Sequence, residues 1–188
     1  MSFTGKAGGF VGAGDDTERQ KRMKVYREWF DKADRDYDES ISIDELHKVL
    51  TNEKTAFDMN TVKFLIRLYD TDNNGSIERK EFYKLFDHIE DAQTRFIRYD
   101  LNNSGFIDEK ELGLALAEIG FNPSSGALKS IQRRYGYNAA DGVSLDHFLR
   151  IYTVASHLNS RFSGRVLNRP NWIEISRDDF MDLALNLP

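Results

Sequence analysis

Asp70-Thr71-Asp72-Asn73-Asn74-Gly75-Ser76-Ile77-Glu78-Arg79-Lys80-Glu81 is followed, thirty residues on, by Asp100-Leu101-Asn102-Asn103-Ser104-Gly105-Phe106-Ile107-Asp108-Glu109-Lys110-Glu111. Both stretches carry side-chain oxygens at positions 1, 3, 5 and 9, glycine at 6, isoleucine at 8 and glutamate at 12. A hard divalent cation takes about six to eight oxygens, more than any one carboxylate supplies, and this twelve-residue spacing delivers them. The short interval is as telling as the loops. A helix leaving one loop, a linker and a separate helix entering the next need more residues than this. One helix from about Glu78 to Tyr99 is therefore predicted to serve both loops.

A third acidic loop lies upstream: Asp34-Arg35-Asp36-Tyr37-Asp38-Glu39-Ser40-Ile41-Ser42-Ile43-Asp44-Glu45. The loops start at 34, 70 and 100, so the steps are 36 and 30. The next step of 36 lands on Gly136, where Val143 stands at position 8 but Gly136, Ala140 and His147 occupy positions 1, 5 and 12. A further 30 lands on Val166, with Ile173 at position 8 and Val166 and Pro170 where oxygens belong. Two extra residues before Asp179-Phe180 restore the register of the last helix. The rhythm predicts five helix–loop–helix hands, of which the last two are structural.

The candidate calcium ligands are Asp34, Asp36, Asp38, Ser40 and Glu45; Asp70, Asp72, Asn74, Ser76 and Glu81; and Asp100, Asn102, Ser104, Phe106 and Glu111. Positions 1, 3 and 5 offer side chains, position 7 a backbone carbonyl and position 12 a bidentate carboxylate, with Mg²⁺ as a competitor for the same oxygens. The alternative is a set of acidic turns without metal. Loop one departs at position 6, which wants a positive φ: Glu39 there costs on the order of 1–2 kcal/mol relative to glycine.

Between the loops, apolar residues recur at helical spacing. Thr17 is a plausible N-cap, and Val25, Trp29 and Phe30 form a core-facing stripe. Phe64, Leu65 and Leu68 precede loop two, and Phe82, Leu85, Phe86 and Ile89 follow it. Phe96 and Tyr99 precede loop three, and Leu112, Leu114, Leu116 and Ile119 follow it. Gly120 and Pro123 mark a stop. The predicted fold is all-α, with very short strands in the loops. Residues 1–16 form a glycine-rich arm, and 17–188 form a domain of hands near 25–52, 61–90, 91–120, 127–155 and 157–187. The arm is either a solvated tail or a carrier of weak apolar contacts through Phe3, Phe10 and Val11.

Composition narrows the function. The absence of cysteine excludes disulfides, thiolate metal sites and thiol nucleophiles and is compatible with reducing cytosol. No apolar run approaches the roughly 20 residues of a membrane span, and no signal-peptide pattern opens the chain. A formal charge of −5, without a basic stripe, argues against nucleic acid as a partner. His47, His88, His147 and His157 show no metal-ligand spacing and accompany no nucleophile motif, so an enzyme is not expected.

Calcium loops pair through position 8, which predicts Ile41 opposite Ile77 and Ile107 opposite Val143. Ile173 then has no mate inside the chain. That edge, carrying Trp172 and Ile173, either lies under the chain's own helix or meets the same edge of a second copy in an isologous homodimer.

Five hands in this rhythm, after a glycine-rich arm and with a two-residue insertion in the last hand, resemble the penta-EF-hand family over residues 17–188. Ile107-Asp108-Glu109-Lys110-Glu111-Leu112 and Trp172-Ile173-Glu174-Ile175 look most like the programmed cell death protein six type, with sorcin, grancalcin and the calpain small subunit more distant. The resemblance implies a cytosolic calcium sensor that dimerises by its fifth hand. It also implies an adaptor that exposes an apolar surface to proline-rich segments or membranes when calcium rises. Three departures stand out: loop two is intact, loop five lacks ligands, and Ala92 and Arg177 stand where the family's peptide pockets use aromatics. A cytosolic calcium buffer and a regulatory subunit of a calcium-dependent protease are the alternative functions.

Overall fold

Each segment between acidic loops has one apolar face, and burying it forces the segment into a helix laid against its neighbours. The computed structural model describes residues 16–51, 56–135 and 142–162, together with 177 and 181. Its elements run α1 (Asp16–Ala33), β1 (Ser40–Ile41), α2 (Ile43–Leu50), α3 (Met59–Tyr69), β2 (Ile77–Glu78), α4 (Arg79–Tyr99), α5 (Glu109–Glu118), α6 (Ser125–Tyr135) and α7 (Leu145–Phe162). The predicted helix joining loops two and three is α4, 21 residues without a break. The chain divides into two compact units, Met1–Glu90 and Asp91–Pro188.

The first unit holds two helix–loop–helix hands. Its core takes Tyr26, Phe30 and Ala33 from α1, Leu46 and Leu50 from α2, Val62, Leu65 and Ile66 from α3, and Phe82, Leu85, Phe86 and Ile89 from α4. Phe30 meets Phe82 edge-on with ring centroids 5.4 Å apart, and Phe82 leads to Phe86 at 5.6 Å. Such tilted pairs suit the ring quadrupoles and add to the area buried. The two loops pair antiparallel as β1 and β2, with Ile41 opposite Ile77 and both fully buried. At the outer helices, Asp87 on α4 accepts from Arg22 at 2.6 Å and from the Tyr26 hydroxyl, both on α1.

The second unit repeats the plan. Ala92 and Phe96 pack with Leu112, Ala115 and Leu116 of α5, Leu128 of α6 and Phe148, Leu149, Ile151, Tyr152 and Ala155 of α7. Ile107 and Val143 exchange two backbone hydrogen bonds of 2.8 Å across an antiparallel bridge, as the spacing of position 8 predicts. Helix α5 stops in a Schellman motif: Phe121 N–H donates to the Leu116 carbonyl at 3.0 Å and Gly120 N–H to that of Ala117 at 2.9 Å. Gly120 supplies the positive φ of 82° that this requires, and Pro123 lies just beyond.

Several expectations are corrected. Thr17 lies inside α1, which begins at Asp16, and is not its N-cap. Val25 is 42% exposed, and the buried stripe runs instead through Tyr26, Phe30 and Ala33. Leu114 is 52% exposed, because Leu112, Ala115 and Leu116 already fill the face of α5 that meets the core. In both helices the sequence offers more apolar residues than the buried arc accommodates. The arm, ligand positions 1 to 6 of loop four and most of hand five, including Trp172 and Ile173, lie outside the described residues.

Glu118 ends α5, where the helix dipole disfavours a carboxylate. Tyr99 donates to it at 2.8 Å, and Arg98 and Arg95 pair with it at 2.8 and 2.9 Å. Partial burial pushes its carboxyl up, but the Tyr99 hydroxyl and the two guanidiniums prevail and hold it below the usual range. A depressed folded-state pKa gives stability that is fully present above the unfolded value and lost as pH falls through the folded one. In urea unfolding of the calcium-free protein, Glu118→Gln should flatten that part of the acid decline, with the wild type and variant converging at the lowest pH. A variant whose profile parallels the wild type at a constant offset would contradict this.

Candidate metal-binding loops

Each of the three acidic loops is wound by the same backbone pattern. Position 4 is left-handed in all of them, with φ of 61° at Tyr37, 58° at Asn73 and 53° at Asn103. Position 6 is left-handed as well, at Glu39 (68°), Gly75 (87°) and Gly105 (80°). Asparagine and glycine adopt this region readily, whereas Tyr37 and Glu39 do so at a cost. Loop one therefore stores strain at two positions; only that at Glu39 was foreseeable from the glycine rule.

The side chains at positions 1, 3 and 5 are aimed by backbone donors. Asp70 accepts from Asn74 N–H at 3.1 Å and Gly75 N–H at 2.8 Å, and Asp100 from Ser104 N–H at 2.8 Å and Gly105 N–H at 2.9 Å. Position 3 accepts from the amide of position 5: Asp36 at 3.3 Å, Asp72 at 3.1 Å and Asn102 at 2.9 Å. Position 5 accepts from the amide of position 7 in turn, at Asp38 (2.8 Å), Asn74 (2.9 Å) and Ser104 (3.2 Å). Hydroxyls help, with Ser40 and Ser76 donating to Asp38 and Asn74 at 3.0 and 2.8 Å.

The glutamate at position 12 ties each loop to the helix that leaves it. Glu45 accepts from Arg35 N–H at 2.8 Å and Ser42 N–H at 2.9 Å. Glu81 accepts from Thr71 N–H and Oγ1, both 2.6 Å, and Glu78 N–H at 3.1 Å. Glu111 accepts from Leu101 N–H at 3.1 Å and Asp108 N–H at 2.9 Å. The amides of positions 2 and 9 are thus functional groups that a search for oxygen ligands overlooks. The visible signal for two of them is the capping box: Ser42 with Glu45 on α2, and Asp108 with Glu111 on α5.

All three position-12 glutamates are buried. Burial pushes the carboxyls of Glu45 and Glu81 up, but amide donors, with Thr71 Oγ1 at Glu81, hold both below the usual range. Desolvation pushes the Asp70 carboxyl up, but Gly75 N–H, Asp72 and the Asn74 and Asn73 amides together hold it below the usual range. These groups are charged at neutral pH, as a metal ligand must be.

The structure brings together Asp34, Asp36 and Asp38 in loop one, and Asp70, Asp72 and Glu81 in loop two, with one oxygen from each residue within 4.8 Å of the others. Oxygens that share a calcium ion at about 2.3–2.6 Å are at most about 5 Å apart, so both clusters fit. A second observation favours a cation at loop one. Asp34 is buried, and its Oδ1 has no hydrogen-bond partner while Oδ2 accepts from Glu39 N–H at 3.1 Å. An unpaired buried carboxylate oxygen is costly, and a bound cation removes that cost. In loop three, positions 3 and 5 are Asn102 and Ser104, leaving Asp100, Asp108 and Glu111 as the local charges at ligand positions. Ser104 Oγ also donates to the Phe106 carbonyl at 2.9 Å, so the position-7 ligand is already occupied by a proton donor.

A family model of the EF-hand domain pair matches residues 22–86, and one of the EF hand matches residues 92–116. Peflin from Xenopus laevis is 28% identical over 158 residues, covering 83% of this chain and 56% of that protein. Human sorcin is 27% identical over 155 residues, covering 80% of this chain and 77% of sorcin. The chain belongs to the penta-EF-hand family. It spans 56% to 59% of the length of the peflins it matches from Xenopus laevis, Danio rerio and Mus musculus. The solved structure of a homolog of programmed cell death 6 protein from Leishmania major matches with a TM-score of 0.73 at 22% identity, covering 89% of this chain and 96% of that one. That match shares the fold. The chain is accordingly a calcium-binding EF-hand protein similar to peflin and sorcin.

Position 6 offers a clean test of strain. A Cβ placed on Gly75 or Gly105 meets nothing within 4 Å, so backbone conformation alone sets the cost there. Glu39→Gly is expected to raise the stability of the calcium-free protein by about 0.5–1 kcal/mol after allowing for the freer unfolded chain. Glu39→Gln, which removes the charge and keeps the Cβ, should gain clearly less. Urea denaturation of the two variants side by side decides it, equal gains meaning that charge repulsion is what Glu39 costs.

Proposed function

We propose that this penta-EF-hand protein is a calcium-responsive adaptor with three metal sites, formed by the fifteen residues Asp34, Asp36, Asp38, Ser40, Glu45, Asp70, Asp72, Asn74, Ser76, Glu81, Asp100, Asn102, Ser104, Phe106 and Glu111. The observation that carries the reading is the convergence of Asp34, Asp36 and Asp38 with one buried oxygen unpartnered, alongside the like convergence of Asp70, Asp72 and Glu81. Bound calcium supplies two positive charges to a pocket of oxygens, and Mg²⁺ competes for the same pocket.

The chain's own part follows from where position 12 sits. Glu45, Glu81 and Glu111 lie in the first turns of α2, α4 and α5. Moving one of these carboxylates toward the loop would exchange a hydrogen bond from a backbone N–H for a contact with the cation and carry its helix along, which shifts the hand toward an open form. Because α4 leaves loop two and enters loop three, occupancy of one biases the other, reciprocally by linkage. Ile97 and Leu101, each 67% exposed, and Leu114, 52% exposed, already offer apolar contact area in the second unit. Ala92 is buried and Arg177 exposed, so a proline-rich partner would rely on other side chains than the aromatics of the family resemblance.

The odd number of hands supports a homodimer through the fifth, around Trp172 and Ile173. Ile41–Ile77 and Ile107–Val143 are mutually satisfied, leaving Ile173 to a second copy. Three bound Ca²⁺ turn a formal −5 into +1, which weakens repulsion from anionic headgroups and favours reversible membrane recruitment from the cytosol.

Calcium titration by calorimetry should find three sites, and Glu81→Gln should lose one of them. Tryptophan fluorescence and an apolar dye should respond as the sites fill. Full occupancy with a silent dye would instead identify a buffer. Sedimentation at micromolar concentration should show a dimer, and a monomer with and without calcium would sink the fifth-hand contact.

A further inference from the structure

Loop four lacks ligands at positions 1, 5 and 12, yet its second half is built with as much care as a metal site. Ser144 Oγ and His147 Nδ1 lie 2.8 Å apart, so position 12 still closes on position 9 at the start of α7, with an imidazole in place of a carboxylate. Val143 is fully buried and exchanges both bridge hydrogen bonds with Ile107. The residue before it, Gly142, has φ of 97°, a conformation that a side chain rarely adopts. At the same position 7 in the other loops stand Ser40, Ser76 and Phe106, none of them left-handed. Among the described loops the conformation is therefore specific to loop four.

Its consequence is a very close approach. A Cβ on Gly142 would sit 2.7 Å from the carbonyl oxygen of Ile107, 3.1 Å from its carbonyl carbon and 3.4 Å from Cβ of Phe106. The first two contacts are with backbone and cannot be relieved by rotating a side chain. The Ile107 oxygen is also the acceptor for Val143 N–H at 2.8 Å, so any shift that frees the Cβ lengthens the bridge. Phe106 provides the position-7 carbonyl of loop three, and Asp108, on the other side of Ile107, fixes Glu111 by accepting its amide at 2.9 Å.

We propose that Gly142 is a positioning residue for calcium at loop three, and that the ligand-free fourth loop is a template setting the Phe106–Asp108 strand of that site. Among the three acidic loops, loop three has the fewest carboxylates at positions 1, 3, 5, 9 and 12, and so gains most from having its carbonyl and its position-12 glutamate placed beforehand. A loop with no ion to lose keeps that placement at any calcium level.

The proposal rests on the calcium reading of loop three, and the test separates the two. The amides of Gly75 and Gly105 donate to Asp70 and Asp100 and so report loops two and three separately in a calcium titration followed by NMR. A wild-type Gly105 signal that ignores calcium refutes the reading of loop three itself. If it responds, Gly142→Ala should shift the Gly105 midpoint by about tenfold or more toward higher calcium, while Gly75 moves less than about twofold. In the calcium-free protein the same variant should lose hydrogen-exchange protection at Ile107 and Val143. A wild-type Gly105 midpoint in Gly142→Ala overturns the proposal.

Should Gly142→Ala unfold the second unit, Gly142→Asn takes its place, since asparagine accepts positive φ more readily and still carries a Cβ toward Ile107. A folded Gly142→Asn with a weakened Gly105 site supports the proposal, and one with a wild-type midpoint overturns it. Unfolding of both variants makes Gly142 a requirement of the fold alone and overturns a positioning role as well.

Discussion

A calcium loop is a run of carboxylates that repel one another, and by itself it buries almost no apolar surface. What gives it a shape is the residue at position 8, which turns inward and meets its counterpart from a neighbouring loop. Ile41, Ile77, Ile107 and Val143 are all completely buried, and each is paired across a bridge. The bridge supplies the backbone partners that a buried strand must have, and the apolar side chains anchor the loop to the helices beneath. Ligand geometry, helix entry and helix exit are all referenced to that contact. A hand without a partner cannot make it, and among the described residues the hands pair within each unit.

Position 12 links this scaffold to the helix that leaves each loop. Each glutamate takes backbone amides from positions 2 and 9, so it clasps both ends of its loop while belonging to the helix that follows. At Glu45 and Glu81 the charge is maintained against burial by those same amides, together with the Ser42 and Thr71 hydroxyls. The outer helices are held by a separate device, similar in the two units. Asp87 is bound by Arg22 and Tyr26 in the first, and Asp91 by Arg95 and Tyr152 in the second. Burial and the adjoining carboxylate push the Tyr152 hydroxyl up to about 12, so it remains a donor throughout the physiological range.

Much of this was legible in the sequence because the constraints are local and periodic. Twelve residues with oxygens at set intervals, an isoleucine at position 8 and steps of 36 and 30 sufficed to predict the loops, their pairing and the unbroken α4. Other features depend on what lies across the core. Val25 and Leu114 share the spacing of buried residues, but the arc of each helix that faces the core was already filled by Tyr26 and Phe30, or by Leu112 and Leu116. The left-handed conformation at position 4 escaped notice because tyrosine at 37 conceals what asparagine at 73 and 103 suggests. Gly142 escaped because its significance is a distance to Ile107, which lies thirty-five residues away in the chain. Ligand types can be read along the chain, whereas the residues that position ligands become visible only across it.

Loop four shows that the two tasks of such a loop are separable. It has none of the ligands at positions 1, 5 and 12, yet it retains the bridge, the apolar anchor and a position-9 to position-12 contact through Ser144 and His147. Coordination therefore adds to a structure that the bridge and the helix cap have already specified. The same separation gives meaning to the fifth repeat. Val166 and Pro170 stand where oxygens belong, while Ile173 stands at position 8. By the logic of loop four, a sequence that has the anchor and lacks the ligands carries the pattern of a pairing element.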